Sequence, residues 1–277
     1  MGGVPAVTSG EVRLRIRVLR RRRHRRSHPI RRLAPLLHCV IGSRRPSICK
    51  AALVLEKVPA DQYQWPIIGP FEIGRCALLS IDWQVDYCAA DGFFADIGLD
   101  TAHIRSALEP VAEVLAAARA AGILVVHTRE GYRADLSDCP PTKVARAMAR
   151  GHPVGREGRY GRLQIRGEPG WQIVDSVAPL PGEWVIDKPS HGAFHSSDLD
   201  QRLRNRGIDL LVVMGTTADC CVSATVREAN DRGYDCLLLT DCVADVSEAR
   251  TASTLESFRI NPLGATADRS AFLAALQ

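Results

Sequence analysis

Leu210-Leu211-Val212-Val213-Met214, then Gly215-Thr216-Thr217-Ala218-Asp219-Cys220-Cys221, then Val222 to Gly233: this stretch decides the fold. Five apolar residues have the length of a buried strand, the Gly-Thr-Thr segment marks a turn, and the segment that follows has helix length and ends on glycine. Cys221 therefore stands where a strand-turn-helix unit delivers a side chain to a helix start. Unpaired backbone N–H groups and the positive end of the helix dipole favour a thiolate there and lower the pKa of a cysteine. A cysteine that only fills a core gains nothing from such a position.

Two further strand ends carry charge. Cys76 to Ile81 is an apolar strand closed by Asp82, and Trp184-Val185-Ile186-Asp187 is closed by Lys188. A carboxylate or an ammonium at the end of a buried strand is costly unless it has a task or a partner. Strands alternate with helices along the chain: helix Ala102 to Ala121 capped by Gly122, strand Ile123 to His127, helix Ser197 to Asn205, strand Leu210 to Met214, helix Cys221 to Arg232, strand Asp235 to Thr240, and helices Ser247 to Phe258 and Arg269 to Leu276. This alternation predicts an α/β fold, three-layered and Rossmann-like, with a parallel six-stranded sheet and helices on both faces. In such a sheet the carboxyl ends of the strands share one edge, so Asp82, Lys188 and Cys221 are expected to converge. The polar, Gly-, Pro- and Arg-rich excursion from Thr128 to Gly170 is expected to be a loop that acts as a lid.

These residues resemble the Asp, Lys and Cys triad of the isochorismatase-like cysteine hydrolases, and the chain looks most like the biuret and triuret hydrolase branch. The stretches that carry the resemblance are Ile81 to Cys88, His127 to Gly131, Arg166 to Trp171, Asp187 to Pro189 and, most specifically, Cys221 to Tyr234. It covers roughly residues 60 to 277. It implies a cysteine-dependent amidohydrolase without a cofactor, acting on a small ureide through a thioester. Asp82 would take the proton of Cys221 and return it to the leaving amine, and Lys188 would hold Asp82. The backbone N–H groups of Thr217 and Cys221 would receive the oxyanion, with a cis Thr216-Thr217 peptide as in relatives. Ureidoacrylate or N-carbamoyl compounds are the alternative substrates, and a catalytically silent binding protein the alternative of another class.

A compact pocket for a ureide needs placed donors and acceptors, because an unpaired buried polar group is costly. Arg129, Glu130, Arg166 and Glu168 are the polar candidates, and Phe93, Phe94, Trp83 and Phe194 the candidate walls. Arg259 falls where biuret hydrolases carry a glutamine before the last Gly-rich strand. Of the two adjacent thiols, the family register selects Cys221, with Cys220 replacing an apolar residue. Relatives assemble as homotetramers, and the same is expected here.

Charge divides the chain. Residues 1–60 hold fifteen Lys and Arg against Glu11 and Glu56, a net of +13, whereas residues 61–277 hold 21 against 29, a net of −8. The folded enzyme domain is accordingly expected over 61–277, preceded by a disordered basic extension. That extension reads as a nucleic-acid-binding arm, as an Arg-rich transit peptide, or as translated sequence upstream of the true start. It lacks aromatic residues for stacking on bases, the first aromatic being Tyr63. No stretch supplies the roughly 20 apolar residues of a membrane span. Nine cysteines, an odd number without regular spacing, argue for a reducing compartment, either the cytoplasm or an organelle matrix if the extension is a transit peptide. His127, His191 and His195 are scattered and no CxxC pair occurs, so no metal is expected.

Overall fold

The computed structural model describes residues 53–277, and the expectations for the basic extension before Leu53 lie outside the described residues. In chain order the elements are β1 (Val54–Leu55), β2 (Phe71–Glu72), β3 (Cys76–Ile81), α1 (Val85–Cys88), α2 (Phe93–Asp96), α3 (Ala102–Ser106), α4 (Leu108–Ala121) and β4 (Leu124–Glu130). There follow α5 (Pro141–Ala149), β5 (Glu157–Gly158), β6 (Gly161–Arg162), β7 (Trp184–Lys188), α6 (Leu199–Asn205), β8 (Leu210–Thr216) and α7 (Ser223–Asp231). The chain closes with β9 (Asp235–Ala244), α8 (Glu248–Ile260), β10 (Ala265–Ala267) and α9 (Arg269–Ala275). Among the described residues no helix is long and apolar enough to cross a membrane.

Six strands form one parallel sheet in the order β10-β9-β8-β3-β4-β7. Its two faces are sorted by the two-residue period of a strand. Leu78, Val125, Val212, Met214 and Leu237 pack with Ile104, Val111, Leu115 and Phe272 of α3, α4 and α9 on one side. Leu79, Val126, Leu211, Val213 and Leu238 pack with Leu203, Val226 and Phe258 of α6, α7 and α8 on the other. Both faces are thus buried, which is why the central strands read as unbroken apolar runs. Each fully buried Leu or Val contributes about 1.5–3 kcal/mol relative to exposure.

Several boundaries differ from the sequence reading. The folded unit begins before residue 61: Val54 and Leu55 pair with Glu72 and Phe71, and Val58 is fully buried. The single helix expected over Ala102 to Ala121 breaks at Ala107, because Pro110 has no N–H to offer the carbonyl of Ser106 and its ring crowds it. Gly122 ends α4 in the left-handed conformation, φ 78°, as its position predicts. The segment expected to act as a lid, hereafter the lid segment, is not a bare loop: Pro141 starts α5, a first-turn position that suits its fixed φ, and β5 and β6 form a small hairpin.

Candidate active site

Asp82 directly follows β3, the strand paired with both β4 and β8, and adopts a left-handed backbone, φ 54°, that Asp tolerates better than most residues. Its side chain is fully buried. Oδ1 accepts a hydrogen bond from Thr128 Oγ1 at 2.6 Å, and Oδ2 lies 2.7 Å from Lys188 Nζ. Lys188, last residue of β7, is also fully buried and donates to the Ser190 carbonyl at 2.8 Å. Burial opposes its ammonium, but the negative charge around Asp82, Cys221 and Glu130 outweighs that penalty and holds Lys188 above the ordinary lysine range.

Cys221 reaches the same place from β8. The Thr216-Thr217 peptide is cis, as anticipated. The helix expected to start at Cys221 is preceded by one π-helical turn, Ala218–Val222, in which the Val222 N–H donates to the Thr217 carbonyl at 3.2 Å. Such single π turns are typical of functional sites. The Thr217 N–H has no acceptor among the described residues. Cys221 Sγ donates to Glu130 Oε2 at 3.2 Å, and one oxygen each of Asp82 and Glu130 lies with Sγ inside a 4.8 Å cluster. The adjacent Cys220 thiol, together with burial, raises the Cys221 thiol well above its ordinary range, against the pull of Lys188 and contrary to the lowering expected of a helix start.

Glu130 is central to this arrangement. It is nearly fully buried, 3.7 Å from Lys188 Nζ and 3.3 Å from His191 Nδ1. Gln84 fixes its backbone, accepting from the Glu130 N–H at 2.7 Å and donating to its carbonyl at 2.9 Å. Burial alone would raise its pKa, but Lys188, His191 and Lys143 together hold it well below the usual carboxylate range.

A cavity of about 170 Å³ opens onto Cys221. Tyr87, Phe93 and Phe94 give it an aromatic wall; Gln164 and His191 add polar groups, and Gln164 Nε2 donates to Tyr87 Oη at 2.9 Å. Thr216 also lines this space, its Oγ1 buried and without a hydrogen-bond partner among the described residues.

Phe93, Phe94 and Glu130 therefore stand where the sequence reading put them, and the remaining candidates do not. Arg129 points away from the cavity: it stacks 3.6 Å above the Trp171 ring and bonds Asp187 and Gln172. Because β4 runs to Glu130 instead of stopping at His127, Thr128 and Glu130 share one face and Arg129 takes the other. Phe194 belongs to the core, its ring 5.5 Å from that of Tyr234 and its N–H bonded to Glu228 of α7. Arg259 is exposed, pairs with Glu256, and lines a groove with Tyr234 and Asp235 at the opposite, amino-terminal end of the strands. Trp83 is core, Arg166 pairs with Asp138, and Glu168 pairs with Arg162 within the lid segment. His127 pairs with Glu183, and only His191 of the three histidines reaches the cavity. Gln164 and His191 were missed as site residues, since neither sits at a strand end and no periodicity marks a loop residue.

The chain matches the family model of the isochorismatase domain over residues 76–269, and belongs to that family. It is 29% identical over 247 residues to a ureidoacrylate amidohydrolase of Methylorubrum extorquens, covering 85% of this chain and 93% of that one. A second ureidoacrylate amidohydrolase, from Azorhizobium caulinodans, is 31% identical over 61% of this chain and 76% of its own length. Among solved structures, an isochorismatase family protein from Desulfovibrio vulgaris superposes with a TM-score of 0.61 at 28% identity, covering 73% of this chain and 98% of the other. The chain is thus a hydrolase of the isochorismatase family with an α/β architecture and an amidohydrolase kinship.

Proposed function

We propose that this protein is a cysteine-dependent amidohydrolase that cleaves the C–N bond of a small compound bearing a terminal ureido group, with ureidoacrylate-like substrates ahead of biuret and triuret. The observation that carries the reading is the Cys221 thiol at the floor of a small cavity, clustered with Asp82 and Glu130 beside the buried ammonium of Lys188. The amidohydrolase relatives favour ureidoacrylate, and the exterior position of Arg259 removes the residue offered in place of the biuret-type glutamine.

In this mechanism Asp82 takes the thiol proton. Glu130, although hydrogen-bonded to Sγ, is a poor base because its neighbours hold its pKa low. Lys188 keeps Asp82 in place and offsets the charge of the new thiolate. Sulfur attacks the ureido carbonyl, and the oxyanion is received by the Thr217 and Cys221 N–H groups. Collapse breaks the C–N bond, the leaving amine or ammonia takes the proton from Asp82, and the acyl group remains on sulfur. Water, deprotonated by Asp82, releases it and regenerates the thiol. Tyr87, Phe93 and Phe94 exclude bulk water, and Thr216 Oγ1 and Gln164 supply hydrogen bonds to the ureido group.

Ammonia release by the full chain is measured with ureidoacrylate, biuret and triuret; carbamate products decay to ammonia and are read as well. Turnover that disappears in Cys221→Ser and in Asp82→Asn supports the proposal. No release from any of the three, or release that survives Cys221→Ser, sinks it.

A further inference from the structure

His191 and Cys220 take no step in the hydrolysis, yet both face its nucleophile. One ring nitrogen of His191 and the sulfurs of Cys220 and Cys221 all lie within 4.8 Å of one another. Glu130 Oε2 stands 3.3 Å from His191 Nδ1 and 3.2 Å from Cys221 Sγ. Zinc binds thiolate sulfur at about 2.3 Å and imidazole nitrogen at about 2.0–2.1 Å, so a tetrahedron of such bonds sets its donors roughly 3.3–3.8 Å apart. The two sulfurs and the imidazole nitrogen lie close enough to reach that span by small side-chain movements, and they supply that donor chemistry.

We propose that His191, Cys220 and Cys221 form a binding site for a thiophilic divalent cation of the zinc class, which caps the nucleophile as a metal thiolate, with Glu130 orienting the imidazole.

The donors are held in advance. Both cysteines ride on the π turn, and the His191 loop is pinned on either side of the imidazole. Lys188 grips the Ser190 carbonyl, Ser190 Oγ donates to the carbonyls of Gly192 and His195, and the Ala193 and Phe194 N–H groups bond Thr225 and Glu228 of α7. Groups that orient a ligand in this way carry a large share of a metal site's affinity. His191 is exposed and Cys220 partly so, which leaves an entry path from solvent. The neighbouring cluster of Asp82, Glu130 and Cys221 is not a competing site, because the Lys188 ammonium already occupies it at 2.7 and 3.7 Å.

Binding displaces whatever protons the sulfurs and the imidazole carry, and each sulfur donates a lone pair without change of oxidation state. The lone pair that would attack a carbonyl is then committed to the metal. Metal occupancy and turnover exclude each other, a consequence that rests on the amidohydrolase reading; the binding itself does not.

The test uses Co²⁺ as a spectroscopic stand-in on the reduced, chelator-treated full chain near neutral pH. One equivalent is expected to produce thiolate-to-cobalt charge transfer in the near ultraviolet together with tetrahedral d–d bands, both bleached by Zn²⁺. Cys220→Ser is expected to halve the charge-transfer intensity and to weaken binding by more than about 100-fold, since even groups that only orient a ligand are worth 10–100-fold. His191→Gln is expected to keep the charge transfer and lose affinity. Absence of charge transfer in the parent, or an affinity that neither substitution changes, overturns the site. No substrate enters this readout, so a protein that binds cobalt but hydrolyses no ureide overturns the function proposed above and leaves the metal site standing.

Discussion

Replacing Glu130 by Gln is expected to lower the pKa of Cys221. The thiol proton is held by a carboxylate oxygen 3.2 Å from Sγ, and that same oxygen repels the thiolate once the proton has gone. At an effective dielectric of about 20, two unit charges at that distance repel by about 5 kcal/mol, nearly 4 pKa units at the limit. Water in the open cavity and rearrangement of His191 screen the pair, so the expected fall is about 1–2 units. The pH dependence of Cys221 alkylation by iodoacetamide reads this directly, in a Cys220→Ser background that leaves one thiol at the cavity. Hydrolysis should survive Glu130→Gln, whereas Asp82→Asn, which removes the base, should cost about 10²–10⁴ in rate. A thiol pKa that stays put or rises in Glu130→Gln, or a loss of turnover equal to that of Asp82→Asn, would refute the division of labour between the two carboxylates.

Lys188→Met leaves the buried carboxylates of Asp82 and Glu130 without their cation and should destabilise the fold by about 3–5 kcal/mol, seen as a drop in the urea midpoint. An unchanged midpoint would mean that the cluster is wetter than its burial indicates. Glu183 is the acid-sensitive group on the other face of β4: burial opposes its charge, but bonds from Arg119, the Leu180 N–H and His127 hold its pKa down at about 2. A folded pKa below the unfolded one confers stability that is complete above the ordinary value of 4.5 and is lost as pH falls through about 2. The stability difference between the parent and Glu183→Gln should therefore shrink across that window in urea titrations, and a constant difference would count against the assignment. Gly215→Ala would place a Cβ 2.5 Å from Ile81 Cβ and 2.8 Å from its carbonyl oxygen, at φ 157°, and should cost about 1–3 kcal/mol by overpacking. A midpoint unaffected by it would show that β3 and β8 can part without penalty.

Strands β3, β8 and β9 were legible because both faces of the sheet are covered there, which writes them as continuous apolar runs, and the edge strand β7 showed only as the short run Trp184-Val185-Ile186. Asp82 and Lys188 were legible for the same reason, as charges that interrupt such runs. What the sequence hid follows from side-chain direction. Cutting β4 short at His127 concealed that Arg129 and Glu130 must face opposite ways. Phe194 looked like a cavity wall because an aromatic ring suits a wall and a core equally, and only its packing on Tyr234 separates the two. Gln164 stands at φ 54° in the lid segment, held by its N–H to Asp86, and nothing in its neighbours' periodicity announces that geometry. Arg259 lies in the last turn of α8, at the far end of the sheet from the cavity, a position that a resemblance in sequence does not reveal.

The reacting groups and the cavity walls belong to parts of the molecule with different mechanical standing. Asp82, Glu130, Lys188 and the turn before Cys221 stand at the carboxyl ends of four strands of one parallel sheet, while Phe93 and Phe94 sit on the four-residue helix α2 and Gln164 on the lid segment. Amide protons of the sheet should exchange with deuterium only when the whole domain opens, and those of α2 and the lid segment through small local excursions. Substrate preference can then be rewritten in α2 and the lid segment by exchanging side chains there, at little cost to the folding cooperativity that keeps thiol, carboxylates and ammonium in register.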